Sequence, residues 1–306
     1  MLSKHHLVPA VIIIFAALVM FFHLGQKSLW NDEAFSFFVS RNGPINAANF
    51  ISQDTQPPLY YAILGIWLKI GKGAFALRAL SALALVLAVL PLYGAAVRLF
   101  DRRVATVAAL LFVLSPLVVD WAQKARPYAV QTSLLSFAFW GFIEVYCSPV
   151  TRRDWIGQSL FSTLRTRTLR PLRTDLGWAA LVGGGGFAML AQDPAGFFLL
   201  GMNVAVLIDV LPRLRSNIRW LSNWAISQLL LLGIWMLWLP TFLSQFNANL
   251  TPAQIALRHT NFLIGSSELI ANLIQIFGIA SVWHAEPVFL ALMLTAALIG
   301  TTLLIR

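Results

Sequence analysis

Apolar residues along this chain gather into runs near twenty residues long, separated by short polar or basic connections. The pattern predicts membrane-spanning helices over about 7–24, 75–97, 104–119, 128–147, 176–191, 195–211, 218–239 and 285–305. A further stretch, "PPLYYAILGIWLKI" (Pro57 to Ile70), is apolar but too short to span, opens on two prolines and carries Lys69 near its end, as an interfacial or re-entrant helix would. The fold class expected is an all-α polytopic membrane protein with about eight transmembrane helices and short juxtamembrane helices in its first external loop.

Composition agrees with that pattern. Of 306 residues, 58% are hydrophobic and 11% charged, which suits a bilayer rather than water as solvent. The first run follows Lys4 and is long for a secretory signal, and "FFHLGQKSLW" offers no small-x-small cleavage site, so it reads as a retained anchor.

A net charge of +10 would suggest nucleic acid in a soluble protein, but here the basic residues sort to one side. With the N-terminus cytoplasmic, that side receives Arg98, Arg102, Arg103, the basic loop 148–175 and Arg213, Arg215 and Arg219. The bland reading of 148–175, a solvated positive-inside loop, outweighs one in which anionic lipid binds its arginines. The external side receives 25–74, "DWAQKARPY" (Asp120 to Tyr128), "QDPAG" (Gln192 to Gly196) and a loop over 240–284. A single cysteine, Cys147, leaves no disulfide framework or thiolate metal site within the chain. The "GGGG" at Gly183 to Gly186 falls inside a predicted span and reads as close helix packing.

Candidate chemistry lies on the external side. Asp32 and Glu33 follow the first run at the start of a short helix, where acids cap favourably; a carboxylate there could equally take a proton from an acceptor hydroxyl. "QDTQPPLYY" sets Asp54 before Pro57 and Tyr60, which by itself signals an interfacial turn. In "SPLVVDWAQKARPYA", Asp120 and Lys124 stand at i and i+4, an ion-pair spacing, while Lys124 and Arg126 together could clamp a phosphate. No histidine shows a ligand spacing such as H-E-x-x-H, so no obligatory catalytic metal is expected, although external carboxylates leave room for a divalent cation.

Taken in order, "WNDEAFS", "DTQPPLYYAILGIWLKIGKGAFALRALSALALVLAVLPLYGAAVRLFDRRVA" and "LSPLVVDWAQKARPYAVQTSLLS" resemble the GT-C class of polytopic glycosyltransferases. The group most similar is that of the dolichyl-phosphate-mannose protein mannosyltransferases and bacterial aminoarabinose transferases. The resemblance covers about 7–146 well and weakens towards 246.

It implies one GT-C-like domain over 1–306, an external catalytic loop over 25–74, and a polyprenyl-phosphate sugar as donor. The acceptor would be a hydroxyl of a lipid, glycan or protein at the outer face of a plasma membrane. The acidic pair would lie at the reaction centre as its catalytic residues, Asp32 as the base with Glu33 beside it, and Arg126, followed by Pro127 and Tyr128, would contact the lipid phosphate. Asp54, Pro57, Tyr60, Asp120 and Lys124 would line the substrate.

Two positions depart from the pattern: Lys124 stands where many relatives have Glu, and Gln56 where many have His or Lys. Relatives usually run longer, so a chain ending at Arg306 reads as a fragment or truncated form. The rival readings are a non-catalytic relative and a lipid-linked sugar transporter, the latter disfavoured because the informative charges sit at the surface rather than at membrane depth.

Overall fold

The computed structural model describes residues 4–52, 56–147, 170–209 and 214–248. Expectations placed on Asp54, on most of 148–175, on most of 240–284 and on the span 285–305 lie outside the described residues. Twelve helices follow one another among those residues, with no strand: α1 (Lys4–Phe21), α2 (Asn31–Ser40), α3 (Pro44–Ile51), α4 (Leu59–Trp67), α5 (Ala74–Leu99), α6 (Arg102–Leu114), α7 (Pro116–Ala122), α8 (Pro127–Tyr146), α9 (Arg170–Ala191), α10 (Ala195–Asp209), α11 (Leu214–Met236) and α12 (Leu239–Ala248). The chain divides into two compact units, one of Met1–Leu114 with Val118–Phe246, the other of Ser115–Leu117 with Asn247–Arg306. The site and its supports lie in the first.

The helices expected from the apolar runs are present wherever the structure describes them, but the count of eight spans is not reproduced. Among the described residues only α5 is by itself long and apolar enough to cross a membrane. The expected span over 104–119 is broken instead at Ser115, and α6 and α7, bent by 57°, make a second span only if taken together. Pro116 accounts for the break, because its ring disfavours helical backbone at the residue before it. The described part of α10 is 15 residues long, about 22 Å of helix against a hydrocarbon core of about 30 Å. Helices α8 and α9 are diluted by Gln131, Thr132, Ser133 and Glu144 and by the glycine run.

Apolar side chains nevertheless face outward in rows. Leu7, Val11, Ile14, Leu18 and Phe22 are all exposed along one face of the first helix and its end. In water such a row would be a liability, whereas lipid is its natural solvent.

Buried side chains form three clusters. Ile12, Ala16 and Met20 of α1 pack with Leu85 and Val89 of α5 and Ala109 and Val113 of α6. Phe142 of α8 meets Leu181 of α9, Met202 of α10 and Trp224 of α11. The third joins the first loop to the bundle: Val39, Ala47, Ile51, Tyr60, Tyr61 and Leu64 from α2, α3 and α4 close over Leu77 of α5 and Val130 of α8. The apolar segment expected at the interface is thus α4, seated on the bundle through its tyrosines.

Glycine governs how closely α8 and α9 approach. A methyl group added at Gly184 would lie 2.6 Å from the Leu134 carbonyl oxygen, and one at Gly141 would meet the Gly177 carbonyl, whereas one at Gly183 would meet nothing within 4 Å. The glycine run is therefore a packing surface, with Gly185 set against Leu199 and Leu231 and Gly186 against Ile234. Gly184→Val is expected to lower stability in detergent by about 1–3 kcal/mol through overpacking. Gly183→Ala should be neutral or mildly stabilising, because alanine is the better helix former. Thermal unfolding of the two variants side by side checks both.

Candidate active site between the first loop and the head of α8

The first loop is shaped where α1 ends. His23 takes a left-handed backbone conformation (φ 55), which stops the helix and turns the chain, so that the carbonyls of Leu24, Lys27 and Ser28 converge on Arg78 of α5. Trp30 then runs extended into α2, whose third residue, Glu33, reaches back to accept the Trp30 amide at 3.4 Å. On a helix, neighbouring residues project about 100° apart, so Asp32 and Glu33 must face different surroundings.

They do. Glu33 is 1% exposed. Its carboxylate forms a two-pronged pair with Arg78, Nε to Oε1 at 2.8 Å and Nη2 to Oε2 at 2.7 Å, and its Oε1 also accepts the Ala125 amide at 3.0 Å. Burial acts to raise the Glu33 pKa. The Arg78 hydrogen bond, the Ala125 amide, the Arg78 charge and the Trp30 amide outweigh it, so the carboxyl titrates below its ordinary value. The capping anticipated for the acidic pair thus falls to Glu33, whose oxygens are directed at protein groups.

Asp32 is open by contrast, its side chain 44% exposed, with Oδ2 lying 3.5 Å from Nη2 of Arg126. Arg126 is the residue before α8, held extended by Pro127 at the first helical position. It is largely buried, its Nε has no hydrogen-bond partner among the described residues, and its Cζ lies 5.9 Å from the Tyr128 ring centroid. Tyr128 in turn stacks on Trp121 of α7 at 5.6 Å.

The remaining expected residues take more varied places. Lys124 pairs with Asp120 at 2.6 Å on the exposed surface, as the i, i+4 spacing predicted, and its Nζ lies 5.5 Å over the Trp30 ring. Pro57 is buried at the turn into α4, and Tyr60 is fully buried, its hydroxyl without a hydrogen-bond partner among the described residues. Burial holds the Tyr60 pKa well above the ordinary tyrosine value, so it stays neutral. Gln56, the departure noted in the sequence, accepts a hydrogen bond from the Tyr61 hydroxyl at 2.6 Å. Among the described residues no three His, Cys, Asp or Glu side chains gather as a metal site.

Sequence reading missed Arg78. The signal was an arginine a turn into an otherwise apolar run, since an ionisable group inside a span demands a partner.

Helices throughout the described residues with apolar outer faces, and an acid brought against an arginine at the head of a helix, agree with the class that the sequence resembles, a membrane-integral glycosyltransferase of GT-C type. Comparison with family models bears this out: the model described as dolichyl-phosphate-mannose-protein mannosyltransferase matches residues 55–166. The matched stretch takes in Pro57, Tyr60, Arg78, Asp120, Lys124, Arg126 and Tyr128, while Asp32 and Glu33 precede it. Neither curated proteins nor solved structures give a match.

Proposed function

We propose that this protein transfers a sugar from a polyprenyl-phosphate donor to an acceptor hydroxyl at the outer surface of a plasma membrane, with inversion at the anomeric carbon. The observation that carries the reading is the Asp32 carboxylate, half-exposed and 3.5 Å from a largely buried Arg126. A base and a phosphate-binding cation then lie within reach of one substrate.

In the reaction, Asp32 takes the proton of the acceptor hydroxyl as its oxygen bonds to the anomeric carbon. The bond from that carbon to the phosphate oxygen breaks, and its electron pair leaves with the polyprenyl phosphate. The proton passes from Asp32 to water. A phosphate diester is a weak base, so its departure calls for positive charge more than for an acid. Arg126 supplies that charge through the planar fork suited to phosphate, and Lys124 adds to it when it exchanges Asp120 for the donor. Tyr128 fixes Arg126 from one side, and Pro57 and Tyr60 shape the wall behind it.

The test is release of polyprenyl phosphate by purified protein in lipid, across a panel of polyprenyl-phosphate sugars with simple acceptors. Release with one donor, and a product of inverted configuration, is expected. A retained configuration would overturn the single displacement, and binding of donor without release from any member would favour a non-catalytic lipid-linked-sugar binder.

A further inference from the structure

We propose that Arg78 and Glu33 are a positioning pair: neither touches substrate, and together they set the separation between Asp32 and Arg126. The proposal rests on the glycosyltransferase reading above and adds two residues to it.

The hydrogen-bond inventory carries the argument. A guanidinium has five N–H donors in a fixed fork, and Arg78 directs all five at protein oxygens: Nε at Glu33, Nη1 at Leu24 and Lys27, Nη2 at Ser28 and Glu33. A carboxylate has about four acceptor sites, and those of Glu33 receive Arg78 twice, the Ala125 amide and the Trp30 amide. No donor or acceptor remains for a phosphate or a sugar hydroxyl. Arg126, with its Nε unpartnered, and Asp32, half-exposed, are in the opposite condition.

What the saturated pair does follows from where its bonds end. Glu33 is one peptide from Asp32, and the amide it holds, that of Ala125, is one peptide from Arg126. Both ends of the Asp32 to Arg126 contact are therefore fixed to a single carboxylate. Arg78 ties that carboxylate to α5 and to the chain leaving α1. A displacement of about 1 Å in such a constellation costs about a hundredfold in rate.

Arg78→Lys tests this, because an ammonium keeps the charge but cannot fill the five-donor fork. The expected result is a fall in kcat of about tenfold to a hundredfold, with the donor KM within about threefold of wild type and the limbs of the pH–rate profile unmoved. Glu33→Asp, which keeps the charge and shortens the reach, should give the same split if the lysine variant folds poorly. Rates are taken per folded molecule, measured by donor binding.

Two readouts are independent of turnover. In the Arg78→Lys protein, trypsin should cut faster after the exposed Lys27, and phenylglyoxal should label Arg126 faster. A rise in KM matching the loss in rate would make Arg78 a donor contact. A moved pH limb would make Glu33 a titrating participant, and wild-type reactivity at both Lys27 and Arg126 would remove the positioning role. Unchanged kcat per folded molecule would reduce the pair to a structural brace. If wild type releases lipid phosphate from no donor, the glycosyltransferase reading falls and the pair is judged on Lys27 and Arg126 alone.

Discussion

Asp32→Asn should lower polyprenyl phosphate release by about a hundredfold to ten-thousandfold, the range supplied by a positioned general base. The substitution preserves shape and removes only the capacity to accept the proton. Little else changes, because the Asp32 side chain is 44% exposed and its ion pair to Arg126 is 3.5 Å long. Partly exposed pairs of this kind contribute at most about 1 kcal/mol, so the variant should fold and bind donor as wild type does. Release measured under saturating donor, beside donor binding to the same preparation, separates the two effects. Unchanged release would move the base elsewhere.

Glu33→Ala should act in the opposite way, on stability first. It leaves the Arg78 guanidinium buried without its counter-charge, and removing one partner of a buried pair costs about 3–5 kcal/mol. The expected observation is a large drop in the thermal midpoint in detergent, with a comparable drop for Arg78→Ala and a double variant much less destabilised than the two losses added.

The pH dependence has a definite sign. Because the folded pKa of Glu33 lies below its ordinary value, the stability it contributes is complete above about pH 4.3, the ordinary glutamate value, and is lost as pH falls through the depressed folded value. Between neutral pH and about 5 the pair should therefore add no slope to the thermal midpoint. A decline that began near neutrality would mean that Glu33 is not held as described.

These two variants show what a linear reading could reach. Asp120 and Lys124 were legible because the partners stand only four residues apart in the chain. The segment of α4 was legible because a largely apolar stretch of fourteen residues opened by prolines cannot span. That Asp32 and Arg126 share a site came from resemblance, and their 3.5 Å contact only from the structure, since nothing local to either residue announces the other. Glu33 was grouped with Asp32 because they are neighbours in the chain, yet on a helix neighbours diverge, and the divergence gives one acid to solvent and the other to the interior. Arg78 was hidden by the apolarity of its surroundings, which a sliding average rewards and a hydrogen-bond count does not. The break at Ser115 was written in Pro116, but an unbroken apolar run concealed it.

The acceptors that saturate Arg78 all precede it in the chain: Leu24, Lys27, Ser28 and Glu33. As the chain grows from its N-terminus, the guanidinium emerges into a nest that has already been synthesised, so α5 can enter the lipid with its charge answered at once. The Ala125 amide, a Glu33 contact that lies downstream of α5, arrives later. The order of the contacts along the chain thus lets the first loop and α5 close on one another before the turn that bears Arg126 has been made.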